Sequence, residues 1–362
     1  MYTMLTIFIF MAILFVYIHV QHQWKTSDDL EIYETDYESP KQMQEIVSVK
    51  QPVLFQINQS DAKKWVNRTQ LRKFEKYDNL DVNVKETADY YNVSKDADIA
   101  VDFVSLPLRS ASTLLSSDSN GKYFSENNGA FIEESGLEGS FQVMDDFLKP
   151  PLTAYTKYDV LFGSQHACTP LRYHTMSQQY LCVTGGKIRV KMCPPKYRKV
   201  LPLVKDYENY EFRTSVDAWS SDSGKRGSEG NKHPILDKIK FLDFEVHAGT
   251  TLYVPPYWWY SLKFSKDTTV AALQYDQIMN LFAQSNEWFF YFLQQSNISP
   301  KLTSAKLVSL DSPSVPDEDS DEEENDEDKP VLSRPPSRAT LEVDNAPKEI
   351  ATNAGTYVVS GM

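Results

Sequence analysis

The chain has 362 residues, 41% hydrophobic and 13% aromatic, enough to bury a sizeable core, which excludes a collagen, a coiled coil and a small disulfide-stapled scaffold. Its 37 basic residues stand against 50 acidic ones, a formal charge of −13, and that balance excludes a nucleic-acid partner held by phosphate contacts. Three cysteines, Cys168, Cys182 and Cys193, are too few and odd in number for a disulfide framework.

The first twenty residues, MYTMLTIFIFMAILFVYIHV, contain no Asp, Glu, Lys or Arg. As a helix they span roughly 30 Å, the thickness of a bilayer's hydrocarbon core. A cleavable signal peptide has a basic start and a small-residue cleavage site, and neither stands here, so residues 1–20 read as a single-pass transmembrane helix. Tyr17 and Trp24 suit its far interface. The basic flanks are too similar to fix the side of the membrane. Residues 21–48, with Asp28, Asp29, Glu31, Glu34, Asp36 and Glu38 and no periodicity, read as a solvated acidic stalk.

From Gln51 to about residue 274 the texture changes to short apolar runs between turn signals. These runs are PVLFQI (52–57), DVLFGS (159–164), YLCVTG (180–185), KIRVKM (187–192), FLDFEV (241–246), TLYVP (251–255) and TTVAALQY (268–275). Short strands at such spacing predict a mainly β sandwich or barrel. SSDSGKRGSEGNK (220–232) reads as a surface loop. Residues 276–295, rich in aromatics from Ile278 to Leu293, predict one or two helices that cover the barrel, with a homodimer interface as a further use. Residues 299–362 form an acidic, Pro-containing tail that reads as disordered; DEDSDEEENDED (317–328) alone carries ten acidic residues. Asn58, Asn67, Asn92 and Asn297 head glycosylation triplets if the domain is lumenal, whereas Ser320 suits an acid-directed kinase if the tail is cytosolic.

Two segments carry chemistry: TPLRYHTMSQQYLCVTGGKIRVKMCPP (169–195) and TLYVPPYWWYSLKF (251–264). With PVLFQINQSDAKKW (52–65) upstream, they resemble the JmjC-like cupin family of iron and 2-oxoglutarate oxygenases over about residues 48–285. The resemblance implies a double-stranded β-helix, a jelly roll with flanking helices, and places the cupin domain at 49–298. Active members read approximately T-P-x-H-x-D and P-P-x-W-W-H, and their two His and one Asp hold Fe(II) as a facial triad. Laid on that pattern without a gap, Arg172 stands at the first His, His174 at the Asp and Tyr260 at the last His. A guanidinium has no free lone pair and a phenol ligates only once deprotonated, so no metal and no cofactor is expected. A shift by two residues puts Met176 at the Asp position and rescues nothing.

The resemblance also assigns Thr169 and Lys187 to the family's cosubstrate contacts. It thereby implies a candidate anion pocket of Thr169, Arg172, His174, Lys187 and Tyr260, in which Arg172 and Lys187 clamp a small dicarboxylate. The alternative for Arg172 is pairing with an acidic residue inside the barrel, and for Lys187 an exposed place in a hairpin turn. His166, Cys168 and Cys182 lack the paired spacing of a zinc site. Three functions follow: a membrane-tethered cupin that has lost oxygenase activity and binds a small dicarboxylate or a protein partner; a working Fe(II) and 2-oxoglutarate oxygenase with unorthodox ligands; and a structural spacer.

Overall fold

Two central strands, Gln178–Gly185 and Thr269–Gln277, are buried on both of their sides. In TVAALQY, Ala271, Leu273 and Tyr275 point one way and Val270 and Ala272 the other; in YLCV, Tyr180 and Cys182 oppose Leu181 and Val183. Side chains alternate along a strand, so such runs belong to a sheet covered on both faces. The computed structural model describes residues 2–91, 100–220 and 234–297. The loop expected at 220–232, apart from Ser220, the tail expected at 299–362, and the sites at Asn92 and Ser320 lie outside the described residues; Asn58 and Asn67 are exposed.

In chain order the elements are α1 (Tyr2–Trp24), β1 (Tyr33–Asp36), α2 (Pro40–Val47), β2 (Val53–Gln56), α3 (Ser60–Arg68), β3 (Asp81–Glu86), β4 (Val104–Pro107) and α4 (Leu108–Ser117). They continue with β5 (Tyr123–Ser125), the short helices α5 (Gly129–Glu134), α6 (Glu138–Gln142) and α7 (Asp145–Leu148), then β6 (Thr153–Gly163), β7 (Arg172–Tyr173), β8 (Gln178–Gly185) and β9 (Lys187–Cys193). The last are β10 (Leu203–Asp206), β11 (Glu211–Thr214), β12 (Leu242–His247), β13 (Thr250–Val254), β14 (Trp259–Phe264), β15 (Thr269–Gln277), α8 (Ile278–Ala283) and α9 (Ser285–Asn297). One sheet runs β1-β2-β13-β8-β15-β6-β5-β3-β4 and the other β10-β11-β7-β14-β9-β12. Within them, β13-β8-β15-β6 faces β7-β14-β9-β12, and the chain crosses between the two sheets as a jelly roll does. The expected double-stranded β-helix is the fold.

Leu161, Leu181, Val190, Leu252, Leu262 and Val270 fill the space between the sheets. The outer face of the larger sheet, with Phe55, Phe162, Tyr180 and Tyr275, is covered by helices that contribute Met43, Val47, Trp65, Phe131 and Phe141. At the β8–β9 turn Gly186 has φ +63, and a Cβ there would sit 2.8 Å from Thr268 Oγ1, so the turn requires glycine.

The stalk expected at 21–48 is overturned for most of its length. α1 continues to Trp24, β1 pairs in parallel with β2 (Tyr33 opposite Val53), and Ser39 caps α2, accepting a hydrogen bond from Gln42 N at 3.3 Å. Tyr37, Met43 and Val47 enter the core. The acidic residues were misleading because all six are exposed, Glu34 and Asp36 on β1 and the others in the irregular segments that flank it. The junction after α1 is tied down as well: Lys50 Nζ donates to the carbonyls of His22 and Gln23, both at 2.9 Å, and Trp258 Nε1 donates to Ser27 O at 3.0 Å. A cation on the last carbonyls of a helix is stabilising. α1 passes the length and hydropathy test for crossing a membrane and buries none of its apolar window in the protein.

Met43→Ala tests the integration of residues 33–47. A fully buried Met should cost about 2–4 kcal/mol, read as a lower urea midpoint at unchanged slope in the detergent-solubilised chain. An unchanged midpoint would return this segment to a stalk.

Candidate functional site

The mouth of the barrel is polar where its floor is apolar. On β14, Leu262 and Phe264 point inward, so parity turns Tyr260 inward as well, and register sets Tyr260 opposite Arg172. Arg172 and Tyr260, both expected in the candidate pocket, are thereby cross-strand neighbours. On β11, Glu211 lies on the inward side and Phe212 packs outward against Tyr173. These residues, with Glu126, Asp159, His174, Gln179 and Gln274, line a cavity of about 100 Å³.

Arg172 is locked between two carboxylates. Its Nη1 donates to Glu126 Oε1 at 2.8 Å and to Glu211 Oε1 at 3.0 Å, and its Nη2 donates to Glu126 Oε2. Glu126 Oε1 also accepts from Lys85 Nζ at 3.0 Å, and both of those side chains are buried. Burial would raise the pKa of Glu126, but the charge of Arg172 and then that of Lys85 outweigh it and hold the carboxyl well below the usual carboxylate range. The guanidinium lies 5.8 Å from the Tyr260 ring centroid. The Tyr260 hydroxyl accepts from Gln179 Nε2 at 3.0 Å, and burial raises its pKa, opposed by Arg172.

His174 Nε2 lies 2.9 Å from the Val254 carbonyl, which can only accept, so Nε2 carries the proton. Burial lowers the imidazole pKa to about 4 against the ordinary 6.5, and the ring is neutral at pH 7. Of the three residues that the resemblance sets at ligand positions, two do not fit Fe(II): Arg172 is a bound cation and Tyr260 a phenol kept protonated by burial, while His174 keeps the lone pair of its unpartnered Nδ1. Among the described residues no group of three His, Cys, Asp or Glu is placed to hold a metal ion.

The remaining two expected pocket residues lie elsewhere. Thr169 is buried beside β14, where its hydroxyl accepts from Leu262 N and its own N–H donates to Leu262 O, both at 2.9 Å; it fastens a strand and does not line the cavity. Lys187 is on the outer face of β9, because Ile188, Val190 and Met192 take the inward positions. Its Nζ bonds both oxygens of Glu245 at 2.8 and 2.9 Å. It lies five residues along β9 from Met192, the partner of Tyr260, or roughly 16 Å. The expected clamp of Arg172 with Lys187 is therefore overturned, and the alternative pairing of Arg172 with acidic residues is what the barrel contains. Three carboxylates line the cavity, those of Glu126, Asp159 and Glu211, against Arg172 and Lys157, which disfavours a dicarboxylate. Lys85, Glu126 and Glu211 escaped the sequence reading. The one usable signal was in NYEFRT, where charged Glu211 and Arg213 alternate with the aromatic Phe212.

Compared with protein families, residues 39–280 match the model of a cupin-like domain, about two thirds of the chain. A comparison with curated proteins gave no match.

Two predictions follow from the cluster. Arg172→Met leaves two buried carboxylates facing Lys85 alone and should cost about 3–5 kcal/mol, read by urea unfolding at pH 7.5. A cost below about 1 kcal/mol would mean the pairing contributes no more than a surface contact. The second concerns pH. His174 binds its proton in the unfolded chain near 6.5 and in the folded chain only near 4, so stability falls as pH drops across that interval, by about 3 kcal/mol at most. Glu126, with its depressed folded pKa, contributes above its ordinary value of 4.5 and loses that contribution as pH falls below it. His174→Gln should flatten the curve between pH 6.5 and 5 and leave the acid limb; a wild-type curve already flat there would contradict the assignment.

Proposed function

The chain belongs to the cupin-like domain family, and from that premise we propose that it is a membrane-anchored member that has exchanged the oxygenase metal centre for a fixed ion cluster and serves as a binding or scaffold module. The observation that carries this reading is the pairing of Arg172: where the resemblance sets the first metal-binding imidazole, a guanidinium is held by Glu126 and Glu211. A cation so placed repels Fe(II), and releasing it would strand two buried carboxylates. The neutral phenol of Tyr260 supports the same conclusion. The cavity of about 100 Å³ has room for a few waters or one small polar group, so the module's partners engage its outer surface.

The anchor is α1, a 23-residue helix long and apolar enough to cross a membrane. Its attachment favours an anchor over a cleaved signal, since Lys50 and Trp258 of the folded domain bind the carbonyls of His22, Gln23 and Ser27.

The test is metal loading of the purified full chain in detergent, followed by dialysis and elemental analysis, with succinate formation from 2-oxoglutarate measured in parallel. Fe(II) should bind roughly a thousandfold or more weakly than to a complete triad, the scale expected from losing two of three ligands, and no succinate should form. One iron retained per chain, or turnover of 2-oxoglutarate, would overturn the proposal.

A further inference from the structure

Helices that cover a soluble barrel turn apolar side chains inward and polar ones to water. α8 does the reverse. Asn280 and Gln284, at its end, are 1% and 3% exposed and both donate to the Thr175 carbonyl, while Phe282 is 59% exposed and Ile278 also faces out. α9 is apolar on two sides. Trp288 and Tyr291 pack on Tyr210, with ring centroids 4.9 and 5.4 Å away, yet Phe289 and Phe292 on the outer side are 57% and 62% exposed, with Leu293 beside them. The acidic residue of α9, Glu287, is drawn off this face to Lys205 at 2.7 Å. Exposed Leu152, whose carbonyl accepts from Ile278 N at 3.2 Å, extends the patch.

What covers this face is indicated by its neighbour. α1 packs against α8, and α1 is the helix that is apolar on every side and buries nothing in the protein. A bilayer that accepts α1 therefore reaches α8, and through Gln284 it reaches the start of α9. We propose that α8 and α9 form a second membrane contact, with Ile278, Phe282, Phe289, Phe292 and Leu293 seated in the leaflet beside α1, so that the barrel lies against the bilayer on this face. Lipid tails require no hydrogen-bonding partner, which suits a patch with no outward polar group among these five residues. A second copy of the chain would have to share the patch with α1. The proposal rests on the reading of α1 as a membrane helix.

The experiment is nitroxide labelling of the full chain at single introduced cysteines, Leu14→Cys, Phe282→Cys, Phe289→Cys, Phe292→Cys and, at the far edge of the sheet, Ser116→Cys. The protein is reconstituted in phosphatidylcholine nanodiscs, and relaxation by oxygen is compared with relaxation by an aqueous nickel chelate. The native cysteines are buried and slow to label. Oxygen should dominate at positions 14, 282, 289 and 292, and the nickel chelate at 116. A lipid signal at 14 with an aqueous signal at 282, 289 and 292 would overturn the second contact while leaving the anchor standing. An aqueous signal at 14 would remove the anchor and this proposal with it. Discs holding two chains with spin–spin broadening at 289 and 292 would assign the face to a second copy and overturn the proposal equally.

Discussion

A carboxylate buried at the mouth of a barrel must be held by cations, and Glu126 is held by two. Lys85 comes from β3, Glu126 from the end of β5, Arg172 from β7 and Glu211 from β11, so one group of charges ties the extension of the larger sheet to the smaller one. Two cations and two anions sum to zero. A set of this kind adds little net stability over an apolar filling, but loss of any one member leaves an uncompensated charge in a place poor in water. That asymmetry keeps Arg172 where it is. The guanidinium stands where the resemblance sets a metal ligand, and its hydrogen bonds to Glu126 and Glu211 hold it there.

Some polar groups of the cavity bond one another, whereas His174 Nδ1 and Arg172 Nε are buried without a hydrogen-bond partner. Gln274 Nε2 donates to Gln179 Oε1 at 2.8 Å, and Gln179 in turn donates to the Tyr260 hydroxyl. Below that layer the barrel is closed by Leu181, Val190, Leu252 and Leu262. The polar layer is one residue thick at most strands, and the cavity is correspondingly small.

Much of the barrel was legible in the sequence for a simple reason. Strands buried on both faces, β8, β13 and β15, are near-continuous apolar runs, β9 and β12 alternate apolar with charged residues, and these with β2 and β6 all overlap the runs that predicted them. Arg172 and Tyr260, which the resemblance put in one pocket, are brought together by the register of their strands. What could not be read is non-local. Nothing in FSENN identifies Glu126 as the partner of a residue 46 positions away; the outward face of Lys187, by contrast, was legible in the alternation KIRVKM, which sets it with Arg189 and Lys191 opposite Ile188, Val190 and Met192. The segment at 33–47 misled for the opposite reason: its Ser-Pro helix start was present at Ser39 and Pro40, but six acidic residues between 28 and 38 outweighed it.

The central claim is that a fixed guanidinium stands where a metal would be. It is tested most directly by a crystal structure of the domain soaked with Fe(II) and recorded at the iron absorption edge. The account predicts Arg172 on Glu126 and Glu211 and no anomalous scattering between His174 and Tyr260. An iron peak there, with Arg172 displaced from its carboxylates, would contradict it.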